Sequence, residues 1–337
     1  MRVAILGCGS LGGVIAVRLA SQPGVRLTVW NRNPQIAEAA AGRGLEVRQG
    51  RRLQSARLAL REPELGPGEP LDCILLATRS EGLLAAASSL AGRLSERGFF
   101  LTLQNGLIAL DLAEELGSER VLPGCVLWGA SMTAPGRYAV TATGPFLIGS
   151  LLEGSGAELR LEQARRLLAG VFPVKRTANI RGALWSKLAI TASFTTLGAL
   201  SGLPFGELAG TRPRRKLLLA LGREVLAVAS ACGVRLERLG PGLDVERLLS
   251  ERGYPPALKH LLLRLVAFRH RRTVSGALRS LQRGRPTELE FINGRLLHLA
   301  AGAGVDAPCN RLAFELAGRL ERRTLAPDPA LLERFRA

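Results

Sequence analysis

The sequence predicts an α/β fold in two parts, a parallel-sheet domain over residues 1–177 followed by an all-helical domain over 178–337. Three observations carry that expectation. Short apolar strands alternate with helical segments through the first part, the pattern of a parallel sheet. A glycine-rich turn, Gly7-Cys8-Gly9-Ser10-Leu11-Gly12, joins the first strand to the first helix. Beyond about Thr177 the strand signals vanish and Leu/Ala-rich segments with helical spacing take over.

Taken in order, Arg2 to Leu6 reads as a short buried strand, and a helical run follows the glycine turn to about Ala20. Val25 to Trp30 forms a second strand, after which Pro34 can open another helix. Further strands are expected at Cys73–Ala77 and Phe99–Leu103, with helices at about 82–93 and 108–116. From Val121 to Ile148 the pattern changes to short strands with turns at Pro135-Gly136 and Thr143-Gly144. That stretch reads as an antiparallel extension at the edge of the sheet. A helix near 156–169 and a strand near Val174–Thr177 close the domain. Residues 180–325 then read as helices broken at Gly202-Leu203-Pro204, Gly240-Pro241-Gly242 and Gly284-Arg285-Pro286. The sequence shows no internal repeat.

Composition bounds the function. A hydrophobic fraction of 47% and a charged fraction of 22% are those of a folded chain, not a disordered one. Aromatics are only 4%, so the core is built from Leu, Ala, Val and Ile. The five cysteines (8, 73, 125, 232 and 309) form no CxxC pair and there are three histidines. This argues against a structural zinc site or a disulfide framework and for a reducing, cytoplasmic setting with no metal. No segment approaches the roughly 18–20 apolar residues of a membrane span. The N-terminal apolar run is broken by glycines at 7, 9, 12 and 13, so it reads as a first strand and not as a signal peptide.

The formal charge is +18, and only Lys175, Lys187, Lys216 and Lys259 among the 46 basic residues are lysines, leaving 42 arginines. They are spread along the chain. Nucleic-acid binding calls for clustered basic residues with a recognisable module or stacking aromatics. Neither is visible, so no nucleic-acid partner is expected. The charge reads as a bias towards arginine with surface ion pairs, and its positive field favours anionic ligands.

Gly7-x-Gly9-x-x-Gly12 alone is a weak signal, but here it follows a strand, opens a helix and begins a βαβ unit. Glycines at those places let the backbone turn tightly and approach a pyrophosphate, which sits on helix N–H groups. The N-terminal domain is therefore expected to be a Rossmann-type dinucleotide-binding domain, with Gly7, Cys8, Gly9, Ser10, Leu11 and Gly12 at the cofactor. An NAD site usually ends its second strand in an acid for the ribose 2′-hydroxyl, and an NADP site replaces it with arginine. The first acidic residue of the whole chain is Glu38, and the strand ends in Asn31-Arg32-Asn33. NADPH is the expected cofactor, read by Asn31 and Arg32.

At this point the chain resembles the 2-dehydropantoate 2-reductase (ketopantoate reductase) family over nearly its full length. The residues that carry the resemblance are the glycine loop, Leu103-Gln104-Asn105-Gly106 after a strand, and Ala183-Leu184-Trp185-Ser186-Lys187-Leu188. To these add Thr287-Glu288-Leu289-Glu290-Phe291-Ile292-Asn293-Gly294 and Ala307-Pro308-Cys309-Asn310. Such enzymes reduce the keto group of 2-dehydropantoate to (R)-pantoate with NADPH, in pantothenate and coenzyme A biosynthesis. The resemblance implies that Lys187 is the general acid, that Glu288 supports it or the substrate, and that Asn105 touches cofactor and substrate. It also places Arg79 near the cofactor and Ser275 near the substrate.

The chemistry stands separately. Hydride addition to a ketone builds negative charge on oxygen, so a cationic proton donor accelerates it. Lysine can give up a proton and arginine practically never does. A lysine on a largely apolar helix, in a chain that uses arginine nearly everywhere else, fits that task. On residues alone, Lys187 is also readable as a snorkelling surface lysine, Asn105-Gly106 as a turn and Glu288 as a helix-capping carboxylate.

The chain also departs from the family. Where the family commonly has asparagines one and two turns after the lysine, Thr191 and Thr195 stand here, giving a Lys187/Thr191/Thr195 polar line read as substrate-binding. Ser280 replaces an aspartate often found between the family's serine and glutamate. A different 2-oxo acid substrate therefore stays open, as does a non-catalytic NADPH-binding sensor or nucleic-acid-associated protein. Apolar helical surfaces in the second domain allow a homodimer.

Overall fold

The computed structural model describes residues 1–63, 66, 68–152, 157–240 and 244–335. The chain divides into two compact units: Met1–Gln104 with Ile108–Ile180, and Asn105–Leu107 with Arg181–Ala337. Among the described residues no helix is long and apolar enough to cross a membrane.

The first unit opens with β1 (Arg2–Leu6), α1 (Ser10–Leu19), β2 (Arg26–Trp30) and α2 (Pro34–Gly42). It continues with β3 (Leu45–Gln49), β4 (Arg52–Ala56), β5 (Leu60–Arg61), β6 (Leu71–Leu76), α3 (Leu83–Leu90) and β7 (Leu94–Thr102). Then come α4 (Ile108–Leu116), β8 (Val121–Val126), β9 (Gly129–Ala134), β10 (Arg137–Ala142), β11 (Phe146–Ile148), α5 (Glu158–Ala169) and β12 (Val174–Arg176). The main sheet has the order β12-β11-β8-β7-β6-β1-β2-β5, parallel from β5 through β8. β1, whose Val3, Ala4 and Ile5 are fully buried, lies between β2 and β6, so the chain order reverses on either side of it. Ligands of doubly wound sheets bind outside the strand ends at such a reversal.

Two expectations need correction. The stretch from Val121 to Ile148 is not simply an edge extension of the main sheet. β8 and β11 do extend it, with β11 antiparallel to β8, but the β9–β10 hairpin leaves to join a second sheet of order β4-β3-β10-β9. The strands β3, β4 and β5 lie outside the elements the sequence predicts, because Leu45–Gln49 and Arg52–Ala56 carry too many polar residues to stand out as buried strands and β5 is two residues long. One face of this small sheet packs on α1, so only alternate residues need be apolar.

The second unit comprises α6 (Ile180–Ile190, its first residue in the first unit), a π turn over Thr191–Thr195, and α7 (Thr196–Ser201). It goes on through α8 (Phe205–Leu208), α9 (Arg212–Ala231), α10 (Val245–Leu249), α11 (Pro256–Arg269), α12 (Gly276–Gln282), α13 (Asn293–Gly302) and α14 (Pro308–Glu321). The helical breaks fall where glycine and proline predict them. Gly202 ends α7 with φ +72°, and Gly284 follows α12 with φ +64°. Of the expected break at Gly240-Pro241-Gly242, residues 241 and 242 lie outside the described residues, as does residue 156 before α5. The π turn is flanked by α9 and α12, and α7 by α12 and α14.

Candidate active site

The glycine loop is shaped by backbone contacts that side chains would break. Gly7 has φ +103°, and a Cβ there would lie 2.7 Å from the Thr78 methyl. A Cβ on Gly12 would lie 2.0 Å from the Gly7 carbonyl oxygen, so only glycine lets α1 begin this close to the end of β1. Gly9 is different: nothing lies within 4 Å of its would-be Cβ. It caps α1 with no side-chain hydrogen bond, leaving the first-turn N–H groups to a ligand. The chemistry of this donor set fits an anionic diphosphate.

The small sheet props this loop. The Tyr138 ring packs where a Gly13 Cβ would have to be, and its hydroxyl donates to the Cys8 carbonyl at 2.8 Å. Met132 N donates to Ser10 Oγ at 3.0 Å. Burial pushes the Cys8 thiol up to about 11, so it stays a neutral core group. Neither Tyr138 nor Gly13 belongs to the fingerprint, and only the Gly12-Gly13 pair hinted that something large lies against α1.

At the end of β2, Arg32 is exposed and makes no hydrogen bond or ion pair with the described residues. Its neighbours are engaged. Asn33 Oδ1 accepts from Gln35 N and Ile36 N as the cap of α2, and Asn31 Nδ2 donates to the Asn33 carbonyl at 2.7 Å. Asn31 thus supports the loop that presents Arg32. Arg79 is half-buried in the loop after β6. That loop is tied by Gln104, whose Nε2 donates to the carbonyls of Leu76 and Thr78 at 3.0 and 3.1 Å. Gln104 thus acts as a tie between the end of β7 and the loop after β6.

In the second unit, α6 is buried nearly all round, and Lys187 is half-buried on it with Thr191 and Thr195. On a regular α-helix a residue eight later is rotated by about 80°. The π turn widens the helix over Thr191–Thr195 and reduces that drift, so Thr195 stays in the stripe. Between them residues 188, 189, 192, 193 and 194 are buried and Ile190 is half-buried. The threonines are not equivalent to free donors. Thr191 Oγ1 donates to the Lys187 carbonyl at 2.9 Å, leaving only acceptor capacity for a ligand.

Glu288 is half-buried and makes no side-chain cap to the short 3₁₀ turn Leu289–Phe291 that follows it, which removes the capping alternative. The neighbouring Thr287 does that work: its hydroxyl accepts from Leu289 N and is itself held by Glu321. Ser275 is 1% exposed and caps α12, its Oγ accepting from Leu278 N at 3.0 Å. Its oxygen serves the fold first; α12 in turn packs against the π turn. Ser280 is half-buried further along the same helix. Asn105 is exposed and groups with this unit, beside Gly106 at φ +81°. A Cβ on Gly106 would lie 2.4 Å from the Phe291 carbonyl oxygen, so Asn105-Gly106 is a required close approach as well as a turn.

The asparagines of two motifs of the resemblance are internal. Asn293 and Asn310 are wholly buried and hydrogen-bonded to one another at 2.9 Å. Glu224 on α9 accepts from Cys309 N, Asn310 N and Asn310 Nδ2 at 2.7–2.8 Å, placing a carboxylate at the start of α14. Among the described residues no group of three or more His, Cys, Asp or Glu side chains could hold a metal.

Comparison with known proteins follows the same division. Residues 3–153 match the family description "Ketopantoate reductase PanE/ApbA", and residues 179–321 match "Ketopantoate reductase PanE/ApbA C terminal". The 2-dehydropantoate 2-reductase of Pyrococcus horikoshii is 27% identical over 316 residues, covering 94% of this chain and 96% of that protein. The enzyme of the same name from Halobacterium salinarum is 27% identical, covering 96% and 99%. Among solved structures, a PanE/ApbA family ketopantoate reductase from Ralstonia eutropha has a TM-score of 0.77 at 26% identity, covering 96% and 99%. A D-mandelate dehydrogenase with NADH and anilino(oxo)acetate has a TM-score of 0.81 at 20% identity, over 96% and 99%, a likeness of fold.

Proposed function

This chain belongs to the ketopantoate reductase family, and from that premise we propose that it reduces 2-dehydropantoate to (R)-pantoate with NADPH. It is an oxidoreductase by family; the substrate is the proposal. The observation that carries it is Lys187, half-buried together with Thr191 and Thr195 on a helix whose other residues are mostly buried.

NADPH, when bound, supplies the hydride that adds to the C2 keto carbon. The chain's own residues do the rest. Gly9 and the first turn of α1 hold the diphosphate on backbone N–H groups, and Arg32 takes the 2′-phosphate. Lys187 Nζ donates the proton to the ketone oxygen as charge develops there, a contribution of about 10²–10⁴-fold for a positioned general acid. Glu288 holds the ammonium or the substrate hydroxyl by charge-assisted hydrogen bonding. Asn105, Thr195 and the acceptor oxygen of Thr191 complete the polar contacts on the substrate.

A second reading is favoured by one observation. Thr191 and Thr195 stand where the family commonly has amides, and the Thr191 donor is turned to its own helix. With the Thr191 donor spent, the line offers a substrate oxygen fewer donors than two amides would, and this changed lining favours a 2-oxo acid other than 2-dehydropantoate. Purified protein scanned for NADPH oxidation over a panel of aliphatic and aromatic 2-oxo acids tests both readings. Ketopantoate leading the panel in kcat/KM supports the first; a different 2-oxo acid leading it supports the second. NADPH binding with no turnover of any member would overturn both in favour of a non-catalytic sensor.

A further inference from the structure

The Asn293 side chain is wholly buried and has three partners. Its Oδ1 accepts from Thr196 Oγ1 at 2.6 Å, and its Nδ2 donates to the Ala192 carbonyl at 3.3 Å and to Asn310 Oδ1 at 2.9 Å. Two of the three lie on the continuous helix that carries Lys187: Ala192 within the π turn, and Thr196 directly after it. A π turn departs from the α-helical bonding pattern, and its buried backbone groups must find their partners locally or from outside. For Ala192 an outside partner is Asn293. The third contact anchors Asn293 itself, since Asn310 Nδ2 donates to the Leu221 carbonyl at 3.0 Å and to Glu224 at 2.7 Å.

Along its own stretch of chain, Asn293 opens α13, and only the 3₁₀ turn Leu289–Phe291 and Ile292 separate it from Glu288. That link is short and internally bonded, with Phe291 N donating to the Glu288 carbonyl at 3.0 Å and Ile292 N to the Leu289 carbonyl at 3.2 Å. Asn293 therefore joins the two segments that bear the candidate general acid and its supporting carboxylate. An amide is the side chain suited to this place. It offers donors to two oxygens and an acceptor to a hydroxyl at once; a carboxylate there would set oxygen against the Ala192 and Asn310 oxygens.

We propose that Asn293 is a positioning residue for the reaction: by pinning the π turn at Ala192 and Thr196, it fixes Lys187 relative to Glu288. The proposal rests on the reading of Lys187 as proton donor. The π turn also sets the facing of Thr195, so loosening it degrades proton transfer and substrate contacts together while leaving the nucleotide loop untouched.

The test measures kcat, KM for ketopantoate, the NADPH dissociation constant and the melting temperature for Asn293→Ala and Thr196→Val. Each substitution is made both in the wild type and in a Lys187→Ala background. Asn293→Ala is expected to lower kcat by about 10–100-fold with NADPH affinity changed by less than about twofold, and Thr196→Val to act in the same direction but less. In the Lys187→Ala background the same substitutions should change residual turnover by less than about threefold, because the group they position is gone. A folded Asn293→Ala enzyme with near-wild-type kcat overturns the proposal. So does an equal loss with and without Lys187, which marks a general weakening of the fold. If Asn293→Ala does not fold, Thr196→Val decides by the same two comparisons, since it removes one hydroxyl and keeps the amide. Wild-type turnover in Lys187→Ala alone is a separate outcome and defeats the proton-donor reading itself.

Discussion

A Cβ on Gly12 would sit 2.0 Å from the carbonyl oxygen of Gly7, while one on Gly9, in the same loop, meets nothing within 4 Å. The two glycines thus do different work. Gly12 lets α1 pack against the end of β1, and Gly9 keeps open the space over the helix N-terminus that a diphosphate would take. Gly9 also has φ −73°, which alanine adopts without strain. Gly9→Ala should therefore keep the melting temperature within a degree or two of wild type and weaken NADPH by about tenfold or more, the loss of ~1.4 kcal/mol. Gly12→Ala should lower the melting temperature before it reports on cofactor. Equal effects of the two on stability would show that the loop is not divided in this way.

Tyr138→Phe tests the prop beneath the loop. The change removes the hydroxyl that donates to the Cys8 carbonyl and leaves that buried acceptor without it, at a cost of about 1–3 kcal/mol. Denaturant unfolding should show a lower midpoint with an unchanged slope. NADPH should also bind more weakly, because Cys8 lies within the glycine loop. A variant as stable as wild type would mean that the ring packing on Gly13, not the hydrogen bond, holds the sheet to α1.

Lys187→Ala should cut turnover by about 10²–10⁴-fold and leave NADPH affinity nearly unchanged. Lys187→Arg should rescue little, since the charge is kept and the transferable proton is not. Near-normal turnover in the arginine variant would show an electrostatic role only. For Glu288→Gln, steady-state kinetics should give a clear fall in kcat/KM with an unchanged melting temperature, because Glu288 does not cap the 3₁₀ turn after it.

The thiols give a pH dependence. Burial raises Cys8 from the usual 9.0 to about 11, and pushes Cys73 and Cys309 up as well. A group raised on folding contributes stability that is present below its unfolded value and lost as pH climbs towards the folded one. Stability should therefore decline between about pH 9 and 11, and Cys8→Ala should flatten part of that decline in melting-temperature scans. At pH 8, iodoacetamide followed by peptide mass spectrometry should find exposed Cys232 modified first and Cys8, Cys73 and Cys125 protected. Early labelling of Cys8 would show that the loop opens readily.

The main sheet was legible because its strands are buried on both faces and read as apolar runs, as in Val3-Ala4-Ile5-Leu6 and Cys73-Ile74-Leu75-Leu76. The small sheet was legible only in its β9–β10 hairpin, around the Pro135-Gly136 turn. Its other two strands, β3 and β4, are half-exposed and rich in arginine and glutamine, and β3 pairs across a long separation, with Glu46 against Arg137 and Val47 against Tyr138. The same contrast runs through the site. Lys187 stood out by chemistry, because its residue type is rare in this chain. Asn293, Asn310 and Glu224 did not, since a buried amide network is visible only when the four helical segments that share it are brought together. Gln104 falls in between: it belongs to a motif of the resemblance, but its carbonyl partners, Leu76 at the end of β6 and Thr78 in the loop after it, lie 28 and 26 residues away.

The proposed choice of cofactor turns on Arg32, whose side chain is exposed and makes no hydrogen bond or ion pair with the described residues. A 2′-phosphate placed on it gains charge-assisted hydrogen bonds of about 1.5–3 kcal/mol, roughly 10–150-fold in affinity. NADH cannot collect that gain, and no acidic residue before Glu38 rewards its free 2′-hydroxyl. Asn31 and Asn33 add less than their side chains promise. The Asn33 oxygen is occupied in capping α2, and an Asn31 amide hydrogen is given to the Asn33 carbonyl. Arg32→Ala should therefore remove most of the NADPH preference, weakening NADPH much more than NADH, and added salt should weaken NADPH selectively in the wild type. Dissociation constants for both cofactors, measured for both proteins at two ionic strengths, check this. An unchanged NADPH-to-NADH ratio in the variant would move the phosphate to another basic residue, with half-buried Arg79 the next to substitute.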